Sequence, residues 1–164
     1  MRPIITLLLA AALVTLAGCS RNSAPKEGDN YTAVQKSDAA MNAAIAKAKA
    51  TIGEFVTAFH VQKPGTKDYF VKKPYATPGG GHEHMWIEVT GEADGVLKGV
   101  IANEAEDTRE VKNGQRVTLK TSEISDWKYQ DGNKLIGGYT IRYFVEKMPP
   151  AERKEFLKQA GFEL

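Results

Sequence analysis

Residues 79–89 read GGGHEHMWIEV, which places two histidines, two glutamates and a tryptophan within the length of one strand. Imidazole and carboxylate groups at this density could hold a metal ion or pass a proton. A metal site needs three or four ligands fixed in space. Side chains alternate along a strand, so His82 and His84 share one face and Glu83 takes the other. His60 is the one remaining histidine, and Glu83, Glu88 or Asp126 could complete a set. No HExxH or CxxC spacing fixes them in place. No metal and no cofactor is therefore expected. Ser122 or Ser125 with His84 and Asp126 would make a nucleophile, base and acid, but no serine stands in a GxSxG elbow. Gly79, Gly80 and Gly81 precede a strand and lack the helix N-terminus that cradles phosphate.

A second constellation joins ISDWKY, residues 124–129, to GGYTIRY, residues 137–143. It gathers Trp127, Tyr129, Tyr139 and Tyr143 with Asp126 and Arg142, and Trp86 belongs with them by type. One reading is a set of core aromatics in which an Arg142–Asp126 pair ties a turn to a strand. The other is an aromatic-walled groove whose arginine receives an anionic or peptide ligand. The candidate ligand-binding residues are then Trp86, Asp126, Trp127, Tyr139 and Arg142. An enzymatic alternative, a hydrolase, requires Glu83, His84, Asp126 and Arg142 to converge in one open pocket.

These residues sit in a chain of 164, enough for one domain with appendages. Hydrophobic residues make up 42% and charged residues 26%, ordinary globular values that place the chain in neither the disordered nor the fibrous class. The formal charge is +2 and the lysines are scattered, so the basic stripe that nucleic acid needs is missing. Pairs such as Lys72-Lys73 read as solvated surface. No nucleic-acid partner is expected.

MRPIITLLLAAALVTLAGCS opens the chain with Arg2 and an apolar run from Ile4 to Ala17. That run is shorter than the about 20 residues a bilayer span requires, and it has the flanks of an export signal. Leu16-Ala17-Gly18-Cys19 resembles the bacterial lipobox. The resemblance implies cleavage before Cys19 and a diacylglycerol on its sulfur. Cys19 is the only cysteine, which leaves no partner for an internal disulfide. Two or more acyl chains anchor stably, since each buried methylene contributes about 0.8 kcal/mol. Ser20 follows the cysteine, and in an organism with two membranes this favours the periplasmic face of the outer membrane. Residues 1–18 are thus expected to be a lipoprotein signal peptide and residues 19–36 a lipidated cysteine with a flexible tether. Residues 37–164 are expected to form one domain. The expected partners are the membrane, through lipid on Cys19, and an envelope protein.

The elements that must position the candidate residues follow from periodicity. Met41, Ile45, Ala48, Ile52, Phe55, Val56 and Phe59 recur every three or four residues, which predicts one long helix capped by Ser37. Gly53 within it suggests close approach to a sheet. From Asp68 the period becomes two. Strands are predicted at Tyr69–Lys73, His84–Thr90, Val96–Ala102, Gln115–Thr121 and Leu135–Val145, with a short strand or turn at Ile124–Tyr129. Gly137-Gly138 would kink the longest of them. Short turns between strands predict sequential antiparallel pairing. Pro150–Ala160 reads as a last helix, with proline in its first turn and Gly161 at its end. The fold class is α+β: a long N-terminal helix packed on a bent antiparallel sheet of five or six strands, and a short C-terminal helix.

Several of these segments together resemble the domain-of-unknown-function 2314 (YegJ-like) family. The carriers are Ala44-Ile45 and Phe55, Phe70-Val71-Lys72, Glu83-His84-Met85-Trp86, Gly99 with Ile101-Ala102-Asn103, and Lys112-Asn113-Gly114. Ile124-Ser125-Asp126-Trp127 and Gly137-Gly138-Tyr139-Thr140-Ile141-Arg142 complete the pattern. The resemblance runs from about Asp38 to Val145. It implies a compact α+β domain, often exported or lipid-anchored, and it brings no catalytic residues. His82 and the glycines before it lie outside the motif, which weakens a paired-histidine site. The function expected is that of a lipid-anchored envelope protein whose domain binds a protein or small ligand without chemistry. Immunity to a toxin is one form such binding takes.

Overall fold

The computed structural model describes residues 38–164. The leader, Cys19, the tether and the expected cap Ser37 lie outside the described residues. Helix α1, Ala39–Ala50, is capped instead by Asp38, whose carboxylate accepts from the amides of Ala40 and Met41 at 2.9 and 3.1 Å. The expected single long helix is two. At Thr51 the backbone leaves helical geometry, and α2 runs from Ile52 to Val61. The Thr51 hydroxyl donates back to the carbonyl of Lys47 at 2.8 Å, a contact that bends helices.

Six strands follow: β1 Thr66–Ala76, β2 His82–Ala93, β3 Val96–Ile101, β4 Arg116–Lys120, β5 Asp126–Asp131 and β6 Lys134–Gly137. They form one antiparallel sheet in the order β4-β3-β2-β1-β5-β6. Pairing is sequential from β1 to β4. After β4 a 3₁₀ turn at Thr121–Glu123 sends the chain to the other side of β1. This crossing departs from the expected sequential pairing. Bulges interrupt the ladders between Lys67 and Phe70 and between Val89 and Gly91.

The predicted strand Leu135–Val145 is a strand and a helix. β6 stops at Gly137, and α3 spans Tyr139–Lys147. Gly137 and Gly138 both adopt left-handed geometry, with φ of 72° and 62°, which turns the chain between the two elements. A Cβ on Gly137 would run into the ring and carbonyl of Trp127. Helix α4, Pro150–Ala160, ends at Gly161 as the sequence indicates.

One face of the sheet buries Val71, Met85, Ile87, Leu97 and Trp127 under α1 and α2, with Phe55 of α2 in the same cluster. The opposite face carries a smaller core of Leu135, Ile141, Val145 and Phe162, with Phe156 and Leu157 of α4 packed against it. Gly53 does not mark the expected close approach: its helix position is exposed, and an added Cβ would meet nothing within 4 Å.

Candidate functional site

The register sets Lys72 of β1 opposite Trp86 of β2 on one side and Asp126 of β5 on the other. Side chains directly across a ladder share a face, so these three form one row, and His84 lies on the same face two residues before Trp86. Lys72 is not solvated surface. It is 2% exposed, its ammonium stands 4.3 Å from the centre of the Trp86 ring, and it donates to the Thr140 hydroxyl at 3.0 Å. Thr140 in turn donates to Asp126 at 2.6 Å. Asp126 is fully buried and also accepts from the amides of Thr140, Tyr139 and Trp127 at 2.9, 3.1 and 2.8 Å.

Two of those amides are the first in α3, whose N-cap position is Gly138 and has no side chain to offer. Asp126 therefore caps α3 from the neighbouring strand, and its negative charge meets the positive end of the helix dipole. Arg142, one turn into α3, reaches back to β6. Its guanidinium donates to the carbonyls of Gly137 and Leu135 at 2.9 and 2.5 Å. The Asp126–Arg142 pair anticipated from the sequence is absent from these bonds: each residue is committed to backbone groups of a different element.

Trp127 faces the other core. It is fully buried, and its indole N–H donates to the Ala48 carbonyl at 3.0 Å and the Thr51 hydroxyl at 3.2 Å. Tyr139 packs edge-on against it at 5.6 Å, and its hydroxyl meets Thr51 at 3.1 Å. Trp86, half-buried on the opposite face, lies between the ammonium groups of Lys72 and Lys128 at 4.3 and 4.9 Å. Trp86 and Trp127 thus occupy opposite sides of the sheet, and the five candidate ligand-binding residues line no common surface.

Alternation also separates Glu83 from His84. The Glu83 carboxylate accepts from the amides of Glu106, Asp107 and Thr108 at 2.9, 3.0 and 2.7 Å, which folds the long 102–115 connection onto the sheet. His84 Nδ1 lies 2.8 Å from the Ser125 hydroxyl. Burial, then the charges of Lys72 and His82, push His84 down to about 4, so it stays neutral at neutral pH. The Ser125–His84 contact is the geometry of an activated serine, but Ser125 is 3% exposed and the Asp126 carboxylate is held by α3. The Ser125 hydroxyl also lies 3.3 Å from the Lys72 carbonyl, as a donor to it. His60, on α2, pairs with Glu92 and stands apart from the other histidines. Among the described residues no three of His, Cys, Asp and Glu gather as a metal site would require.

The sequence reading puts Lys72 on the surface, names Thr140 only within the family pattern and passes over Thr51. Lys72 could have been found from its place at the centre of FVKKP, on the face opposite the Val71 side chain. The helix that covers it was predicted as a strand, so nothing in the expected layout would have buried it.

The family model described as an uncharacterized protein conserved in bacteria, DUF2314, matches residues 38–164. The chain is similar to the uncharacterized protein YegJ of Escherichia coli K12, 32% identical over 151 residues, 92% of this chain and 94% of that protein. It is also similar, at 35% identity over 74 residues, to a protein of Neisseria meningitidis serogroup B named as an ankyrin repeat protein. That match spans 44% of this chain and 29% of the other. No solved structure matches. The DW and GGYTIR segments now have a physical account, as a cap, a left-handed turn and a sealed strand edge, and the chain that carries them belongs to the DUF2314 family of bacterial proteins.

Proposed function

We propose that the chain is a lipid-anchored envelope protein whose domain binds another envelope protein without catalysis. The observation that carries this reading is the commitment of its chemistry-bearing side chains. Asp126 accepts four hydrogen bonds from protein groups, Glu83 accepts three from loop amides, and Arg142 closes two carbonyls. Groups so engaged build a rigid scaffold, and recognition falls to the surface. The lipobox at Leu16–Cys19 supports the anchor. The match to the Escherichia coli protein is longer than the described domain and so includes part of the segment upstream of Asp38. The Neisseria relative is much larger than the matched segment, which suits a domain used as a binding unit in more than one setting.

The tether sets the geometry of such binding. Seventeen residues from Ser20 to Lys36 reach roughly 55–60 Å when extended, and about 20–25 Å as a coil. The domain can then meet a partner held in or near the same membrane. The test is chemical crosslinking in intact cells at native abundance, followed by capture of the full-length chain from membranes. One protein enriched over a lipoprotein of equal abundance is expected. Recovery of no specific partner would count against the reading.

A further inference from the structure

The two edges of the sheet are treated differently. On β6 the ladder to β5 leaves the amides and carbonyls of Leu135 and Gly137 pointing outward. Three of these four groups are closed by the chain itself: both carbonyls by Arg142, and the Leu135 amide by the carbonyl of Glu163 at 2.7 Å. β4, at the other end, has no strand or bridge on its outer side among the described residues. The bonds that flank its ladder, Ile101 N–H to Gln115 and Thr121 N–H to Gly95, fix the alternation. Residues 115, 117, 119 and 121 face β3, so the backbone groups of Arg116 and Thr118 face solvent.

The side chains on this edge are cationic. Arg116, Thr118 and Lys120 are exposed on the face that α1 and α2 leave uncovered, with Lys98 beside them on β3. Among the described residues neither Arg116 nor Lys98 has an ion-pair partner. The acidic side chains nearby are Glu88 on β2, Glu123, which accepts from the Lys120 amide at 2.7 Å and pairs with Lys73, and Glu104, which lies by Asn113 just before β4. The cations still outnumber these acids on the face itself. A depression of about 440 Å³ lies alongside, between Thr90, Lys98 and Thr118. A second copy pairing antiparallel through Thr118 would set Arg116 against Lys120, like charges directly opposed.

We infer that the outer edge of β4 is a docking site for an extended acidic segment of a protein partner, added to the sheet as a seventh strand. Backbone bonds to Arg116 and Thr118 supply affinity, and alternate acidic side chains meet Arg116, Lys120 and Lys98. This rests on the binding-module reading above and names its surface.

Hydrogen exchange of the full-length chain in detergent tests it, with an alternating glutamate–valine decapeptide as probe and the lysine–valine version as control. The acidic peptide should slow exchange at the Arg116 and Thr118 amides by roughly tenfold, less at high salt. The variant R116E/K120E should reverse the preference, and T118P, which removes an outward amide from an edge strand, should abolish protection while leaving the thermal melt nearly unchanged. Absence of protection with either peptide, equal protection by both, or protection by anionic vesicles alone would overturn the proposal. A photo-crosslinker placed at Thr118 or at Thr57 on α2 separates the two levels. Adducts from Thr57 but not Thr118 overturn the edge site and leave the binding module standing; adducts from neither overturn both.

Discussion

Asp126 illustrates how a residue suited to chemistry can be absorbed by architecture. Its carboxylate holds the first amides of α3, orients Thr140, and shares that hydroxyl with the buried ammonium of Lys72. Removing it would leave the first amides of α3 uncapped and take the acceptor from the Thr140 hydroxyl that meets the buried Lys72 ammonium. Asp126→Ala should lower the free energy of unfolding by about 3–5 kcal/mol, measured by urea denaturation. His84 offers a pH-dependent counterpart. Burial and the neighbouring Lys72 and His82 charges hold it at about 4 in the fold, against an ordinary value of 6.5. Below pH 6.5 the unfolded chain takes up a proton that the folded chain refuses, so stability is full above that pH and declines toward pH 4. The loss attributable to this group is at most about 3 kcal/mol. His84→Gln should flatten the stability curve between pH 4 and 6.5 relative to the native chain. Parallel curves for the two proteins would mean that His84 is not held neutral.

At the scale of elements, the strands β2, β3 and β4 were legible because one buried face leaves a clean alternation, as in Met85, Ile87 and Val89. Helix α4 was legible from Pro150 and Gly161. Helix α3 was not. Tyr139, Thr140, Ile141, Tyr143 and Val145 favour strands by type, and the cap that overrides that preference comes from Asp126, far upstream and on another element. The β5–β1 pairing was hidden for a similar reason, since local turn signals carry no information about a crossing. Misreading α3 also decided the fate of the candidate site. Without that helix, Lys72 stays on the surface and Arg142 remains available to a ligand, whereas in the fold Arg142 seals β6. The two glycines most open to test lie in helix α2 and at the end of β6. Gly53→Ala should stabilise by about 0.5–1 kcal/mol, because the helix position is open and alanine is the better helix former. Gly137→Ala should destabilise by about 2 kcal/mol or more, since left-handed geometry and the Trp127 ring both oppose a methyl group. Thermal melts of the two variants should move in opposite directions.

At the scale of the whole molecule, the described residues form a domain whose internal polar groups are largely satisfied, with the β6 edge mostly closed by Arg142 and Glu163 and the β4 edge cationic and unpaired among them. No helix among the described residues is long and apolar enough to cross a membrane. In the proposed arrangement attachment depends on Cys19. The tether then confines the domain to within about 60 Å of the bilayer at full extension, and raises its effective concentration toward partners in the same membrane. Every part of that arrangement depends on the acylation of one side chain. Radioactive palmitate labelling of the full-length chain in cells, compared with Cys19→Ala, tests it directly. Lipid anchoring predicts label on the native chain and none on the variant, which should also run as an uncleaved precursor. Equal incorporation in the two, or none in either, would contradict the anchor and with it the envelope role proposed for the domain.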